Sequence, residues 1–131
     1  MLKFRTIAAA ALAVLVPAAA QAHHSFAAFF DPVKVITIKG TVTEFRFTNP
    51  HGTIALDVKG ADGKVVHWRA ETNAPVVLVR RGWSRDVIKA GDTISIEGWV
   101  SRDGKPYLRL KQAFDAKGKL IGNAPFGQGD S

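Results

Sequence analysis

Two adjacent histidines, His23 and His24, follow a run of small residues near the amino terminus. If the chain is cut after Ala22, the α-amine and the imidazole of His23 can together chelate one metal ion. A cut after Ala20 makes His23 the third residue, where amine, backbone amides and imidazole can bind Cu(II) or Ni(II) in a square plane. Both cuts therefore predict a copper-binding terminus that includes His23 and His24. A solvated tail that binds no metal is the alternative.

His51 is the further nitrogen ligand that we expect, because it lies in a predicted turn, Asn49–Gly52, where its ring is free. The arm formed by residues 23–32 spans at most about 35 Å when extended, so it can reach this turn. Its phenylalanines, Phe26, Phe29 and Phe30, are expected to dock the arm on the domain. His67 is expected to pair near the far end of the strand that His51 begins, roughly 20 Å from His51, so the two cannot share an ion. The alternative for His51 is an ordinary polar turn residue.

A second cluster is predicted on the outer face of the sheet, where Glu44, Asp57 and His67 fall in one cross-strand row. A histidine beside two carboxylates could hold a metal ion or act as a base. The interpretation that we favour is a charge-compensated sheet surface, which adds little to stability.

Catalytic motifs are missing from the sequence. It has no cysteine, and it contains no serine-nucleophile motif, P-loop or glycine-rich dinucleotide loop. We therefore predict a protein that binds a ligand and is not an enzyme.

The first 22 residues have the pattern of a secretory signal peptide. Lys3 and Arg5 precede an apolar run over residues 7–16, and small residues end at Ala22. The apolar run is shorter than the roughly 20 residues that span a bilayer. We expect a helical signal peptide over residues 1–22, and a mature protein in the periplasm or secreted, without a transmembrane anchor.

Apolar residues alternate along five segments of the mature chain, which predicts five strands. The first is long, from Val33 to Thr48, and its side-chain parity changes, for which a bulge at Gly40 is the expected cause. A turn at Asn49–Gly52 would then pair Phe47 with Ile54 and Phe45 with Leu56.

The next loop, Ala61–Gly63, places glycine where a left-handed residue is needed and pairs Val58 with Val66. A helix follows the third strand, with Thr72 or Asn73 as its cap, Pro75 in its first turn and Gly82 at its end.

The order of three strands, one helix and two strands predicts a mainly β fold, a small OB-like five-stranded Greek-key barrel over residues 33–121. An open antiparallel sheet crossed by a helix is the alternative. Residues 122–131 are rich in glycine and are predicted to form a flexible tail.

The net charge of +7 falls by two when Lys3 and Arg5 are removed, which leaves a moderately basic domain. Single-strand binders with this fold stack bases on aromatic residues of strands two and three. Here that face would carry Asp57, His67 and Arg69, so we predict no nucleic-acid partner.

Four motifs together resemble a family of small exported bacterial proteins of unknown function. They are HHSFAAFFD (residues 23–31), KGTVTEF (39–45), TNPH (48–51) and GWSRD (82–86). The resemblance covers nearly the whole mature chain and implies a periplasmic or secreted protein without an established activity. Members tend to have an aromatic residue shortly after the TNPH turn, a region occupied here by Gly52, Thr53 and Ile54.

These observations predict an exported single-domain protein that binds copper or another transition metal through His23, His24 and His51. The alternative is a structural or protein-interaction module of the cell envelope that binds no metal.

Overall fold

The computed structural model describes residues 26–130. The predicted signal peptide, His23 and His24 lie outside the described residues. Residues 26–29 are helical. Five strands and one further helix follow, with these bounds: β1 Phe30–Arg46, β2 Thr53–Lys59, β3 Val65–Glu71, the helix Pro75–Arg80, β4 Thr93–Ser101 and β5 Tyr107–Phe114.

The five strands form one mixed sheet that closes on itself in the order β1-β2-β3-β5-β4. Neighbouring strands are antiparallel except β3 and β5, which run parallel over residues 69–71 and 107–109. The prediction of a mainly β fold with a helix between the third and fourth strands is confirmed. The open antiparallel sheet is wrong, because β1 pairs with β4 and closes the ring.

Strand β1 is long enough to pair with two strands. Residues 35–41 pair with β4, and residues 41–46 pair with β2. Gly40 lies where the strand comes so close to β2 that a Cβ would overlap the carbonyl group of Asp57. Glycine is therefore required for close approach of two backbones.

The predicted register between β1 and β2 is wrong. The bulge lies between Val42 and Glu44, not at Gly40, and Phe45 pairs with Ile54 instead of Leu56. The pairs next to the turn differ because the connection spans residues 47–52, two more than predicted. The bulge lies after Val42 because Val42 is buried like Ile38, so the even-numbered side chains of β1 still face inward there. In contrast, the predicted register between β2 and β3 is confirmed, including the pair Val58–Val66.

The helix begins at Pro75 and is followed by Gly82 with φ of 80°. Its cap differs from the prediction: Ala74 occupies that position and makes no side-chain cap hydrogen bond. Thr72 and Asn73 are instead fully buried between the sheet and the chain's carboxyl-terminal segment.

The main core lies inside the ring, where the helix contributes Leu78. Its largest fully buried apolar side chains come from four strands and the helix: Val42, Ile54, Leu56, Leu78, Ile94, Ile96, Leu108 and Leu110. A second cluster lies outside the ring, where Phe26 and Phe30 pack on Trp99 and Tyr107.

Residues 122–130, predicted as a flexible tail, pack against the domain. Phe126 is buried against Trp83, with ring centroids 6.0 Å apart. The amides of Ile121 and Phe126 donate to the carbonyl oxygens of Ala113 and Lys111 on β5. The physical reason is that β5 pairs with β3 only through its first residues, 107–109. The rest of that edge of β5 is therefore free to bind the tail.

Candidate functional site

The turn that carries His51 is held rigidly against the end of β3. The amide of Gly52 donates to the carbonyl oxygen of Asn73, and the amide of Thr72 donates to that of Gly52. A Cβ at Gly52 would lie 2.6 Å from the Thr72 hydroxyl oxygen, so only glycine fits. The turn therefore presents the His51 ring to the residues that follow β3 and to the outer face of β5.

At this place Arg109 of β5 is buried, although its side chain points out of the ring. Its Nη1 atom donates to Glu71 Oε1 at 2.8 Å and to the carbonyl oxygen of Thr72 at 3.1 Å. Its Nη2 atom donates to the carbonyl oxygen of Asp130 at 3.2 Å. The Arg109 charge is thus matched by one carboxylate and by carbonyl dipoles, as a buried cation requires.

His51 contacts the same guanidinium group: its Nδ1 lies 3.2 Å from Nη1 of Arg109 and 4.0 Å from Oε1 of Glu71. Arginine has no acceptor atom, so this hydrogen bond requires an unprotonated Nδ1 and a proton on Nε2. The neutral His51 ring then exposes a donor, not a lone pair. The ring is not free as predicted, and a metal ion on it would lie beside a fixed positive charge.

Tyr107 connects the network to the amino-terminal segment. Its hydroxyl donates to Glu71 Oε2 at 2.5 Å, and its ring lies 5.5 Å from that of Phe30. Burial, then the hydrogen bond and the negative charge of Glu71, raise the pKa of Tyr107 far above its ordinary value. Glu71 therefore accepts from both Tyr107 and Arg109.

The four residues His51, Glu71, Tyr107 and Arg109 form what we call the junction, because three separate segments meet there. These segments are the Asn49–Gly52 turn, the amino-terminal aromatic cluster and the carboxyl-terminal tail. Sequence reasoning identified only His51. Arg109 and Tyr107 occupy outward positions of a strand, which usually face solvent, so the sequence carries no signal for their burial.

The amino-terminal segment is anchored by two of the three predicted phenylalanines. Phe26 packs edge-to-face on Trp99 with centroids 5.3 Å apart, and Phe30 is likewise buried. Phe29 is 66% exposed, so its predicted role in docking is wrong. A helical turn over residues 26–29 directs Phe26 and Phe30, four residues apart, to the same side.

The predicted outer row is only partly formed. His67 Nδ1 lies 2.6 Å from Asp57 Oδ1, and the two residues pair across the strands. Glu44 pairs with Ala55 instead, because the turn between β1 and β2 is two residues longer than predicted, and its carboxylate binds Arg46 at 2.9 Å. The His67 side chain is 81% exposed, which supports a solvated charged surface.

Among residues 26–130, no group of three histidine, cysteine, aspartate or glutamate side chains is arranged to hold a metal ion. The histidine pair predicted to bind copper lies before this range. Within the same part of the chain, no helix has both the length and the apolar character needed to cross a bilayer.

Comparison with solved structures gives distant matches to nucleic-acid-binding proteins. The mitochondrial single-stranded DNA-binding protein Rim1 from S. cerevisiae is 13% identical, with a TM-score of 0.48 over 70% of this chain and 96% of that one. A small single-stranded DNA-binding protein from Streptomyces coelicolor is 15% identical, with a TM-score of 0.41 over 63% and 90%.

TiaS, in a complex with a transfer RNA and ATP, is 15% identical, with a TM-score of 0.47 over 66% of this chain but 19% of that one. Similarity at this level carries no information on what the chain binds.

No curated protein is significantly similar in sequence. One family model does match, that of DUF6152, a family of unknown function, and it covers residues 11–108. The resemblance inferred from the four motifs is confirmed at this level, and the chain belongs to the DUF6152 family.

Proposed function

We propose that the protein is an exported OB-like binding protein that holds Cu(II) through the histidines of its mature amino terminus. Signal-peptide cleavage after Ala22 would put the α-amine on His23, and cleavage after Ala20 would put it two residues before His23. Imidazole and amine nitrogens suit Cu(II) in a tetragonal arrangement.

The observation that carries the proposal is the burial of Phe26 and Phe30 against Trp99 and Tyr107. His24 precedes Phe26 by two residues, so chain length alone keeps it within about 7 Å of that anchored Cα. In the mature chain a chelating terminus would thus directly precede this anchored residue. Anchoring lowers the entropy that the terminus loses when it closes around an ion.

We favour a set of copper ligands that lies at the mature amino terminus. His51 Nδ1 is engaged by Arg109, and the guanidinium charge opposes a second cation there. Binding through His51 would require that contact to break. We therefore expect the amine, His23 and His24 to supply the main affinity.

The test uses exported protein whose first residue is identified by mass spectrometry, followed by Cu(II) titration in a calorimeter. The variant His23→Ala/His24→Ala should bind about a hundredfold more weakly, equivalent to ~2.8 kcal/mol. His67→Ala is the matched control, since it removes an exposed histidine elsewhere and should leave the affinity unchanged.

Equal affinities of the wild type and the double variant would refute the proposal. A loss of affinity in His51→Ala of the same size would replace the terminal ligand set by one that includes the turn.

A second candidate is an interaction module of the cell envelope, favoured by exposed apolar side chains at the start of the domain. Phe29 is 66%, Val33 88% and Val35 38% exposed. Exposed apolar residues close in sequence often mark contact sites. Pull-downs from envelope extract should recover a partner with the wild type and lose it with Val33→Asp; no difference between the two would refute this candidate.

A further inference from the structure

One edge of β1 has no neighbouring strand along its first half. Residues 35–41 pair with β4 on one side of β1, whereas on its other side β2 pairs only from Thr41 onward, opposite Asp57. Before that pair, β2 continues only in its pairing with β3. Over residues 31–39, a length of roughly 30 Å, the side of β1 that faces away from β4 therefore pairs with no strand of the described chain. We call this stretch the open edge.

The free backbone groups of the open edge belong to odd-numbered residues. The amide of Val42 donates to the carbonyl oxygen of Asp92, just before β4, so the even-numbered residues direct their N–H and C=O groups towards β4. Val35, Thr37 and Lys39 alternate with them and direct these groups to the open side. Such a row of N–H and C=O groups is a template for a strand of another chain.

The beginning of the open edge also stands off β4. The register of β1 with β4 shifts between Phe30 and Val35, so the residues between them have no partner in that strand. The Val33 amide instead donates to Asp31 Oδ1 at 3.1 Å, and the Val33 side chain is 88% exposed. The segment is part of β1 and extended, so an added strand would cover this side chain and give its amide a backbone partner.

The side chains of the open edge are self-complementary about Val35. When two copies pair antiparallel with a two-fold axis at Val35, Asp31 of one copy lies opposite Lys39 of the other, and Val33 lies opposite Thr37. The axis repeats each of these pairs, so opposite charges meet twice. The two Val35 side chains meet at the axis itself. Cross-strand pairs of opposite charge stabilise a sheet.

The charges also select this register over its neighbours. An axis at Ile36 would place Lys39 opposite Val33, and an axis at Lys34 would place two lysines opposite each other. Among the ion pairs formed by residues 26–130, none includes Asp31 or Lys39. Both charges are therefore left for a partner in the second copy.

We propose that two copies of this chain pair antiparallel through the open edge of β1, with the two-fold axis at Val35. The free backbone groups supply the hydrogen bonds, and the match of Asp31 with Lys39 identifies a second copy as the partner. One pair of strands buries less than the roughly 1,200–2,000 Å² of a standard interface, so we expect a reversible dimer with a Kd of about 10–100 µM.

This dimer goes beyond the copper proposal and shares no residue with the copper ligands, so either can fail alone. It also gives a specific partner to the exposed side chains of Val33 and Val35. Self-association of the purified protein needs no component of an envelope extract. Its outcome is therefore separate from that of the pull-down.

Sedimentation velocity of the exported protein between about 1 and 500 µM is the first measurement, and the dimer fraction should rise over this range. Val35→Pro removes an N–H group of the open edge but none that is directed to β4, and proline is tolerated at such positions. This variant should stay folded and monomeric. A wild type that is monomeric at every concentration, or a folded Val35→Pro variant that dimerises equally well, would refute the proposal.

Charge exchange tests the register. Asp31→Lys and Lys39→Asp should each raise the Kd about tenfold, because like charges then lie opposite each other at both repeats of the pair. The double variant Asp31→Lys/Lys39→Asp exchanges the charges and should return the Kd to within about threefold of the wild type. Asp86→Lys and Lys89→Asp make the same charge changes at exposed residues outside β1 and are the matched controls. Equal weakening in the controls, or no recovery in the double variant, would show that the proposed pairing is wrong.

Discussion

At the scale of one residue, the ionisation of the Tyr107 hydroxyl group tests the contacts of the junction. Tyr107 is the single tyrosine of the sequence, so any phenolate signal from the protein belongs to it. Its environment combines burial with a hydrogen bond to a carboxylate, and both favour the neutral phenol. Its ionisation therefore measures whether Glu71 and the aromatic cluster are in place.

We predict that native protein shows little phenolate absorbance at pH 10, whereas the chain unfolded in urea titrates with a midpoint of about 10. Because the folded-state pKa lies above the unfolded value, the unfolded chain loses its proton first as the pH rises. The contribution of this group to stability is complete below about pH 10 and is lost above it. Ultraviolet difference absorbance during a pH titration is the measurement.

Glu71→Gln is the control for this titration, because it keeps the size of the side chain and removes its charge. The folded-state pKa of Tyr107 should then fall towards its ordinary value but stay raised, since burial is its first cause. A native midpoint equal to that of the unfolded chain would contradict the contacts described for Tyr107.

At the scale of elements, β1 is the strand on which ring closure depends. It forms antiparallel pairs with β4 along its first half and with β2 along its second half. Gly40 stands next to the change of partner and lies against the backbone of Asp57. A side chain at this position must push β1 away from β2.

Gly40→Ala is therefore expected to lower the free energy of unfolding by roughly 1–3 kcal/mol, the range for overpacked sites. Gly127→Ala is the matched control, because its new methyl group would meet only Asp130 at an ordinary 3.7 Å. That variant should change stability by less than about 0.5 kcal/mol. Urea unfolding followed by tryptophan fluorescence gives both values, and equal stabilities would contradict the close approach at Gly40.

The β1 strand also shows how far the sequence determines the elements. Glycine in the Ala61–Gly63 loop specifies one loop length, so the register of β2 and β3 could be predicted. A bulge at Thr43 leaves no comparable signal, because threonine fits regular and bulged strands alike. The connection between β1 and β2 also spans residues 47–52, two more than predicted, and this longer turn displaced the pairs next to it and removed Glu44 from the predicted row.

At the scale of the whole molecule, Arg109 ties together parts of the chain that are far apart in sequence. Its partners lie in the Asn49–Gly52 turn, at the end of β3 and in the tail. The alternation of Leu108 and Leu110 indicates a strand, and it predicts that Arg109 between them is exposed to solvent. Its burial results from three distant segments, so it could not be predicted from local pattern.

We expect Arg109→Ala to cost about 3–5 kcal/mol of unfolding free energy, because it leaves the half-buried Glu71 carboxylate without its cation. Arg46→Ala removes an arginine from an exposed pair with Glu44 and should cost less than about 1 kcal/mol. Thermal and urea unfolding of the two variants test this. Similar losses in both would show that the junction adds no more than a surface ion pair.

The tail that binds β5 has a consequence for the protein in crowded surroundings. Without it, the carbonyl groups of Lys111 and Ala113 would form an open strand edge beside the apolar side chain of Trp83. Such edges recruit strands from other chains and begin aggregates. The segment after β5 occupies this edge with its own backbone amides, so the two carbonyl groups are not open to a strand from another chain.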